Sequence, residues 1–145
     1  MIAVDTNVLL RYLLWDDDKE QATKADKLIS GSTHVLITDG VLAETLWTLK
    51  GKKYKLAKPA LIDVINSLFE EPNIGFEDGQ VVWRALSDYT QAKPVTVAGK
   101  KKEVDFADAL VVNKARYCAG EQGRKLGKFY TFDTAVQGIP GTAEP

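Results

Sequence analysis

The sequence predicts an α/β fold: a central, mostly parallel sheet of four or five strands with helices on both faces, a three-layer α/β/α arrangement. Three observations predict it. Short β-branched or aromatic apolar runs alternate with longer segments of helical periodicity. The runs Ile2-Ala3-Val4 and Phe129-Tyr130-Thr131-Phe132 each end at an aspartate. The 145 residues, 45% of them hydrophobic, suffice for one sizeable core, so residues 1–145 read as a single domain.

Ile2-Ala3-Val4 reads as a buried strand, Asp5-Thr6-Asn7 as a polar turn, and Val8-Leu9-Leu10 with Tyr12, Leu13 and Leu14 as a helix. Asp16-Asp17-Asp18 is expected to start a second helix, since carboxylates favour helix N-termini; Ala22, Ala25, Leu28 and Ile29 then recur at helical spacing. Gly31-Ser32-Thr33 stops it, and His34-Val35-Leu36-Ile37-Thr38 has the content of a second buried strand. Asp39 is the expected cap of a helix carrying Leu42, Leu46 and Leu49, with Glu44 inside it and Trp47 beside it. Lys50, Lys52, Lys53 and Lys55 close that helix, and Pro59 suits the first turn of another bearing Leu61, Ile62, Ile65, Leu68 and Phe69.

Ile74-Gly75-Phe76 is a weak strand, followed by a helix from about Gln80 to Tyr89. Pro94 to Lys102 is a loop or short hairpin ending in Lys100-Lys101-Lys102. The most apolar helix runs from Phe106 to Cys118. Its spacing puts Asp108 on the face of Val111, Val112 and Ala115, a charge on a surface expected to be buried. Phe129 to Phe132 is the last clear strand, and the tail from Gly138 to Pro145 a loop or weak edge. No internal repeat, low-complexity tract or interdomain linker interrupts the chain.

With 19 Lys+Arg against 20 Asp+Glu, the formal net charge of −1 offers no global attraction to a polyanion, so any nucleic-acid contact is local. One cysteine, Cys118, excludes an intrachain disulfide framework and a cysteine-cluster metal site; one histidine, His34, excludes a two-histidine acid–base pair. Cys118 reads as a small buried hydrophobe and His34 as structural. A basic leader and a long uncharged run are both missing, so the chain is expected to be cytoplasmic, with no membrane partner. Phosphate-binding glycine loops, the dinucleotide fingerprint and the serine-hydrolase elbow are also missing from the sequence.

What remains is acidic. In parallel α/β sheets the functional crevice lies beyond the carboxyl ends of the strands, where Asp5 and Asp133 stand; Glu44 and Asp108 lie on helices whose other faces are apolar. If the four converged, each pair about 4 Å apart would repel by about 4 kcal/mol at an effective dielectric near 20. A hard cation such as Mg²⁺ or Mn²⁺ relieves that repulsion, takes oxygen ligands and promotes phosphodiester hydrolysis, one or two ions being compatible with the acids. Scattered surface carboxylates are the other reading of the same four residues, and spacing alone leaves both open.

Asp5-Thr6-Asn7 after an apolar strand, Glu44 within Leu42-Ala43-Glu44-Thr45-Leu46-Trp47, Asp105-Phe106-Ala107-Asp108-Ala109-Leu110 opening a helix, and Thr131-Phe132-Asp133 ending a strand resemble the PIN-domain ribonucleases, in particular the VapC-type toxins. The four motifs occur in the family's order over nearly the whole chain. The resemblance implies a PIN-like parallel sheet flanked by helices. It also implies an Mg²⁺- or Mn²⁺-dependent endoribonuclease with an RNA substrate, a homodimer, and inhibition by a cognate VapB-type antitoxin. Carried over residue by residue, Asp5, Glu44, Asp108 and Asp133 match the family's acids. Asp105 is a metal ligand or an ordinary helix cap. Thr6 and Asn7 are expected to hold Asp5 and its turn by side-chain hydrogen bonds, and Thr131 to act likewise beside Asp133 or simply to suit a strand. Arg11, Lys50, Lys52, Lys53, Lys100, Lys101 and Lys102 are candidate RNA contacts, with solvated surface lysines as the alternative. Trp15, Trp47 and Trp83 are expected in the core or at a subunit interface. The tail departs from the family pattern, since Gly138 separates Val136 from Ile139 and Pro140 follows; this leaves a fifth strand open. A non-catalytic PIN-like module that binds RNA or protein is the alternative function.

Overall fold

The computed structural model describes residues 1–15 and 18–145, so Asp16 and Asp17 of the acidic triplet lie outside the described residues. The chain packs as two units, Met1–Gly79 and Gln80–Pro145.

In the first unit, β1 (Ile2–Ala3), β2 (Val35–Ile37) and β3 (Ile74–Phe76) form a parallel sheet in that spatial order, with Ile2 opposite Val35 and Val35 opposite Ile74. Parallel neighbours need long crossovers, which four helices supply: α1 (Thr6–Leu13) and α2 (Lys19–Ile29) between β1 and β2, then α3 (Asp39–Lys50) and α4 (Lys58–Glu70) between β2 and β3. The core is the apolar stripe of each helix against the sheet, including Leu9, Ile29, Ile37, Leu42, Leu49, Ile65 and Leu68, all fully buried. Asp18 caps α2 by accepting the Gln21 N–H at 3.0 Å. Thr38, not Asp39, caps α3: its hydroxyl accepts the Val41 N–H, and Asp39 is the first helical residue. Pro59 stands in the first turn of α4, where its missing N–H has no helical partner to lose. Gly75 leaves room across the sheet for the His34 imidazole, whose Nε2 would lie 2.6 Å from a Cβ at position 75.

In the second unit, α5 (Gly79–Gln91), beginning at the last residue of the first unit, precedes an antiparallel hairpin of β4 (Val95–Val97) and β5 (Lys100–Lys102). Its two-residue turn places Ala98 and Gly99 at φ of 51° and 76°, the positive values that match a tight hairpin to strand twist. α6 (Phe106–Glu121) buries Phe106, Ala109, Leu110, Val112 and Asn113. The stripe therefore passes beside Asp108 rather than through it: Val111 is exposed, and Cys118, beyond the stripe, is exposed rather than buried. Asn113 is held by a polar cluster in which its amide donates to Asp88 at 2.8 Å and Arg116 donates to both. β6 (Phe129–Tyr130) pairs in parallel with β7 (Thr142–Ala143), so the tail does add a strand, beyond Pro140 rather than at Val136–Ile139, which forms a 3₁₀ turn over Val136–Gly138 instead. Trp47, Trp83 and Trp15 are exposed, contrary to a core role; Trp47 and Trp83 each sit one position off their helix's buried stripe, about 100° around the axis.

Candidate active site

Asp5 follows β1 and is the N-cap of α1. Its Oδ1 accepts the Val8 N–H at 2.9 Å, and the remaining oxygen is uncommitted among the described residues. The side chain is exposed, at the end of the strand where a parallel sheet presents its functional residues. The backbone of Val8 does the holding that the sequence assigns to Thr6 and Asn7: Thr6 is buried and Asn7 exposed, and neither side chain is hydrogen bonded among the described residues. Glu44 projects from α3 into solvent, opposite the buried Leu42, Thr45, Leu46 and Leu49. Its neighbour Thr45 turns inward and closes onto the Val41 carbonyl at 2.7 Å.

A cavity of about 300 Å³ opens between α1 and α2, lined by Asp5, Asn7, Arg11, Gln21, Lys24 and Leu28 among others. Arg11 Nε donates to Gln21 Oε1 at 3.0 Å, which fixes the guanidinium near the wall that Asp5 shares. Lys24, which pairs with Glu20 at 3.0 Å, was not singled out by the sequence; the signal was its place on the Gln21, Lys24, Leu28 edge of α2. Two cations beside a carboxylate suit a ligand that carries phosphate.

In the second unit, Asp105 occupies the N-cap of α6 with extended backbone, and Asp105 and Asp108 form a capping box in which the Asp108 carboxylate accepts the Asp105 N–H at 3.0 Å. Both are half-buried. Asp133 is exposed, three residues beyond β6. Its Oδ1 accepts the Ala135 N–H at 3.0 Å, its own N–H donates to the Thr131 hydroxyl at 3.0 Å, and its carbonyl starts the 3₁₀ turn. Thr131 is thus bonded to the Asp133 backbone.

Of the other cations, Lys50 ends α3, Lys52 and Lys53 are exposed just beyond it, and the Lys53 ammonium lies 5.1 Å from the Tyr54 ring centroid. Lys100, Lys101 and Lys102 are exposed along β5. Within neither unit do three Asp, Glu, His or Cys side chains gather as a metal-binding group among the described residues. The donor set nevertheless has the right chemistry for a hard cation: oxygen ligands alone, with one oxygen of Asp5, one of Asp133 and both of Glu44 uncommitted among the described residues.

The comparisons with known proteins bear on the whole chain. A family model described as the PIN domain matches residues 2–139. No curated protein matches the sequence. Among solved structures, the chain is similar to the crystal structure of Mycobacterium tuberculosis VapC20, a toxin that cleaves the sarcin–ricin loop, at 16% identity over 100% of each chain and a TM-score of 0.40.

Proposed function

Because this chain belongs to the PIN domain family, we propose that it is a metal-dependent endoribonuclease that hydrolyses RNA phosphodiester bonds as the toxin of a VapBC-type pair. The family match carries the reading, together with the four acids Asp5, Glu44, Asp108 and Asp133 standing in the family's order. Those four are proposed to hold Mg²⁺ or Mn²⁺, with Asp105 contributing through the capping box. The ion, when bound, supplies Lewis acidity toward water and phosphate.

The chain's own groups then have distinct tasks. Val8 N–H locks the Asp5 carboxylate so that one oxygen stays available, and Ala135 N–H does the same for Asp133. Glu44 reaches out from a helix whose register is set by its buried leucines. The Asp108 carboxylate is oriented by its bond to the Asp105 backbone, which limits the reorganisation needed at the moment of reaction. Arg11 and Lys24 neutralise phosphate charge beside Asp5, while Lys50, Lys52, Lys53 and Lys100 to Lys102 meet the backbone elsewhere without reading sequence. A homodimer, a VapB-type antitoxin partner, a cytoplasmic location and a single domain over residues 1–145 complete the proposal.

The test is cleavage of cellular RNA by the purified protein with Mn²⁺ and with chelator, cleavage ends being mapped, alongside Asp5→Asn and Asp108→Asn. Metal-dependent cleavage lost in both variants is the expected result. Undiminished cleavage by both variants rejects the site. No cleavage by the unsubstituted chain, while it still binds RNA, favours the non-catalytic module.

A further inference from the structure

The segment from Lys114 to Lys128 carries five cations, Lys114, Arg116, Arg124, Lys125 and Lys128, against one carboxylate, Glu121, in a chain whose formal net charge is −1. Three of the five line a cavity of about 450 Å³ beyond the end of α6, together with Leu126, Gly127 and Gly141; no carboxylate lines it among the described residues. Arg116 is locked there, donating to Asp88 and Asn113 at 3.2 Å each and to the Pro140 carbonyl. Arg124 and Lys125 are exposed, and neither side chain has an ion pair among the described residues. The helix C-terminus is the end where the backbone dipole favours cations, so these charges are held at little cost.

The cavity adjoins the start of β6, because the Phe129 N–H donates to the Gly141 carbonyl at 2.9 Å. From there exposure alternates along the strand: Lys128, Tyr130 and Phe132 are exposed, while Phe129 and Thr131 are half-buried. Tyr130 is 61% and Phe132 78% exposed, and neither ring packs on another aromatic among the described residues. Two bare aromatic rings, flanked by free cations on one side and by Asp133 on the other, form a surface for an unpaired polyanion with flat bases.

We propose that this surface is a docking site for single-stranded RNA, in which Arg124 and Lys125 seat backbone phosphates over the locked Arg116 while Tyr130 and Phe132 stack on unpaired bases leading to Asp133. The inference rests on the reading of the chain as an enzyme that acts on RNA. Because every base has a face to stack and every phosphate a charge, the surface selects unpaired strands over sequence.

The experiment measures binding of a fluorescent, unstructured RNA of about 12 nucleotides to the full chain in chelator, from about 50 to about 200 mM salt. Arg124→Gln with Lys125→Gln is expected to weaken binding about tenfold and to lower the salt slope by about 1.4, the value for two single-strand phosphates. Tyr130→Leu with Phe132→Leu is expected to weaken binding at least about fivefold with the salt slope unchanged, and Tyr130→Phe to retain affinity. Circular dichroism confirms the fold of each. Metal-dependent cleavage of the same RNA by the unsubstituted chain is read in parallel. If that chain cleaves RNA while both double variants bind as it does, the docking site is overturned and the ribonuclease reading stands. If binding depends on both pairs but nothing is cleaved, the ribonuclease reading falls and the docking site stands. No RNA binding in chelator, or loss of a dimer with unchanged RNA affinity in the aromatic variant, also overturns the inference.

Discussion

The Asp108 carboxylate accepts the backbone N–H of Asp105 at 3.0 Å, so two acids that the sequence offers as metal ligands are already bonded to each other's turn of α6. Structure and chemistry therefore separate cleanly by substitution. Asp105→Ala removes the N-cap and is expected to cost about 1 kcal/mol, a drop of a few degrees in melting temperature. Asp108→Asn keeps an acceptor for the Asp105 N–H and is expected to cost less, while cleavage falls at least about 100-fold. Thermal melts and cleavage rates on the two variants check the pair.

Asp5→Asn follows the same logic at α1. The amide oxygen still accepts the Val8 N–H, so stability is expected to change by less than about 0.5 kcal/mol, whereas the charge proposed to hold the ion is gone. In thermal scans, saturating Mn²⁺ is expected to stabilise the unsubstituted protein by about 2–3 kcal/mol at about 100 times its dissociation constant, with chelator reversing the shift. Asp5→Asn is expected to show little of it. An equal shift in both proteins would remove Asp5 from the ligands.

How much of this was readable beforehand depends on the element. Strand positions, the helix begun by Asp18, the Pro59 start and the hairpin ending in Lys102 were legible because local signals decide them: caps, a fixed proline φ, apolar period. Exposure was less so. Cys118 and Trp47 look interior by residue type, but a helix buries a stripe set by what it packs on, and both fall off that stripe. The capping box was legible too: an aspartate followed three residues later by another acid before Ala109 and Leu110 is its signature, and it accounts for Asp105 without a metal. Arg124 and Lys125 escaped notice because they stand between Gly123 and Gly127, outside any helix or strand whose period would mark a face, and the cavity they line closes only when β7 brings Gly141 alongside.

The Tyr89 phenol is pushed up to about 12, first by burial and then by the carboxylates of Asp105 and Glu103. The folded state thus favours the neutral ring, while an unfolded tyrosine ionises near 10. The associated stability is intact below about pH 10 and is lost as pH climbs through about 12. Urea midpoints across that window are expected to fall more steeply for the unsubstituted chain than for Tyr89→Phe.

Asn113 is the buried amide between Asp88 and Arg116, bonded also to the Ala109 carbonyl at 2.9 Å. Asn113→Leu leaves a half-buried carboxylate and a guanidinium short of partners and is expected to cost about 2 kcal/mol, read from the urea midpoint at constant slope. A neutral result would mean that Asp88 and Arg116 alone satisfy each other.

The hairpin of β4 and β5 has two strands among the described residues, so each keeps one edge of backbone N–H and C=O groups that no described strand pairs. On β5 all three residues are lysine, and all three are exposed. An approaching copy of the same strand would bring three ammonium groups against three, so sideways growth into ribbons is opposed at that border whatever else those lysines touch.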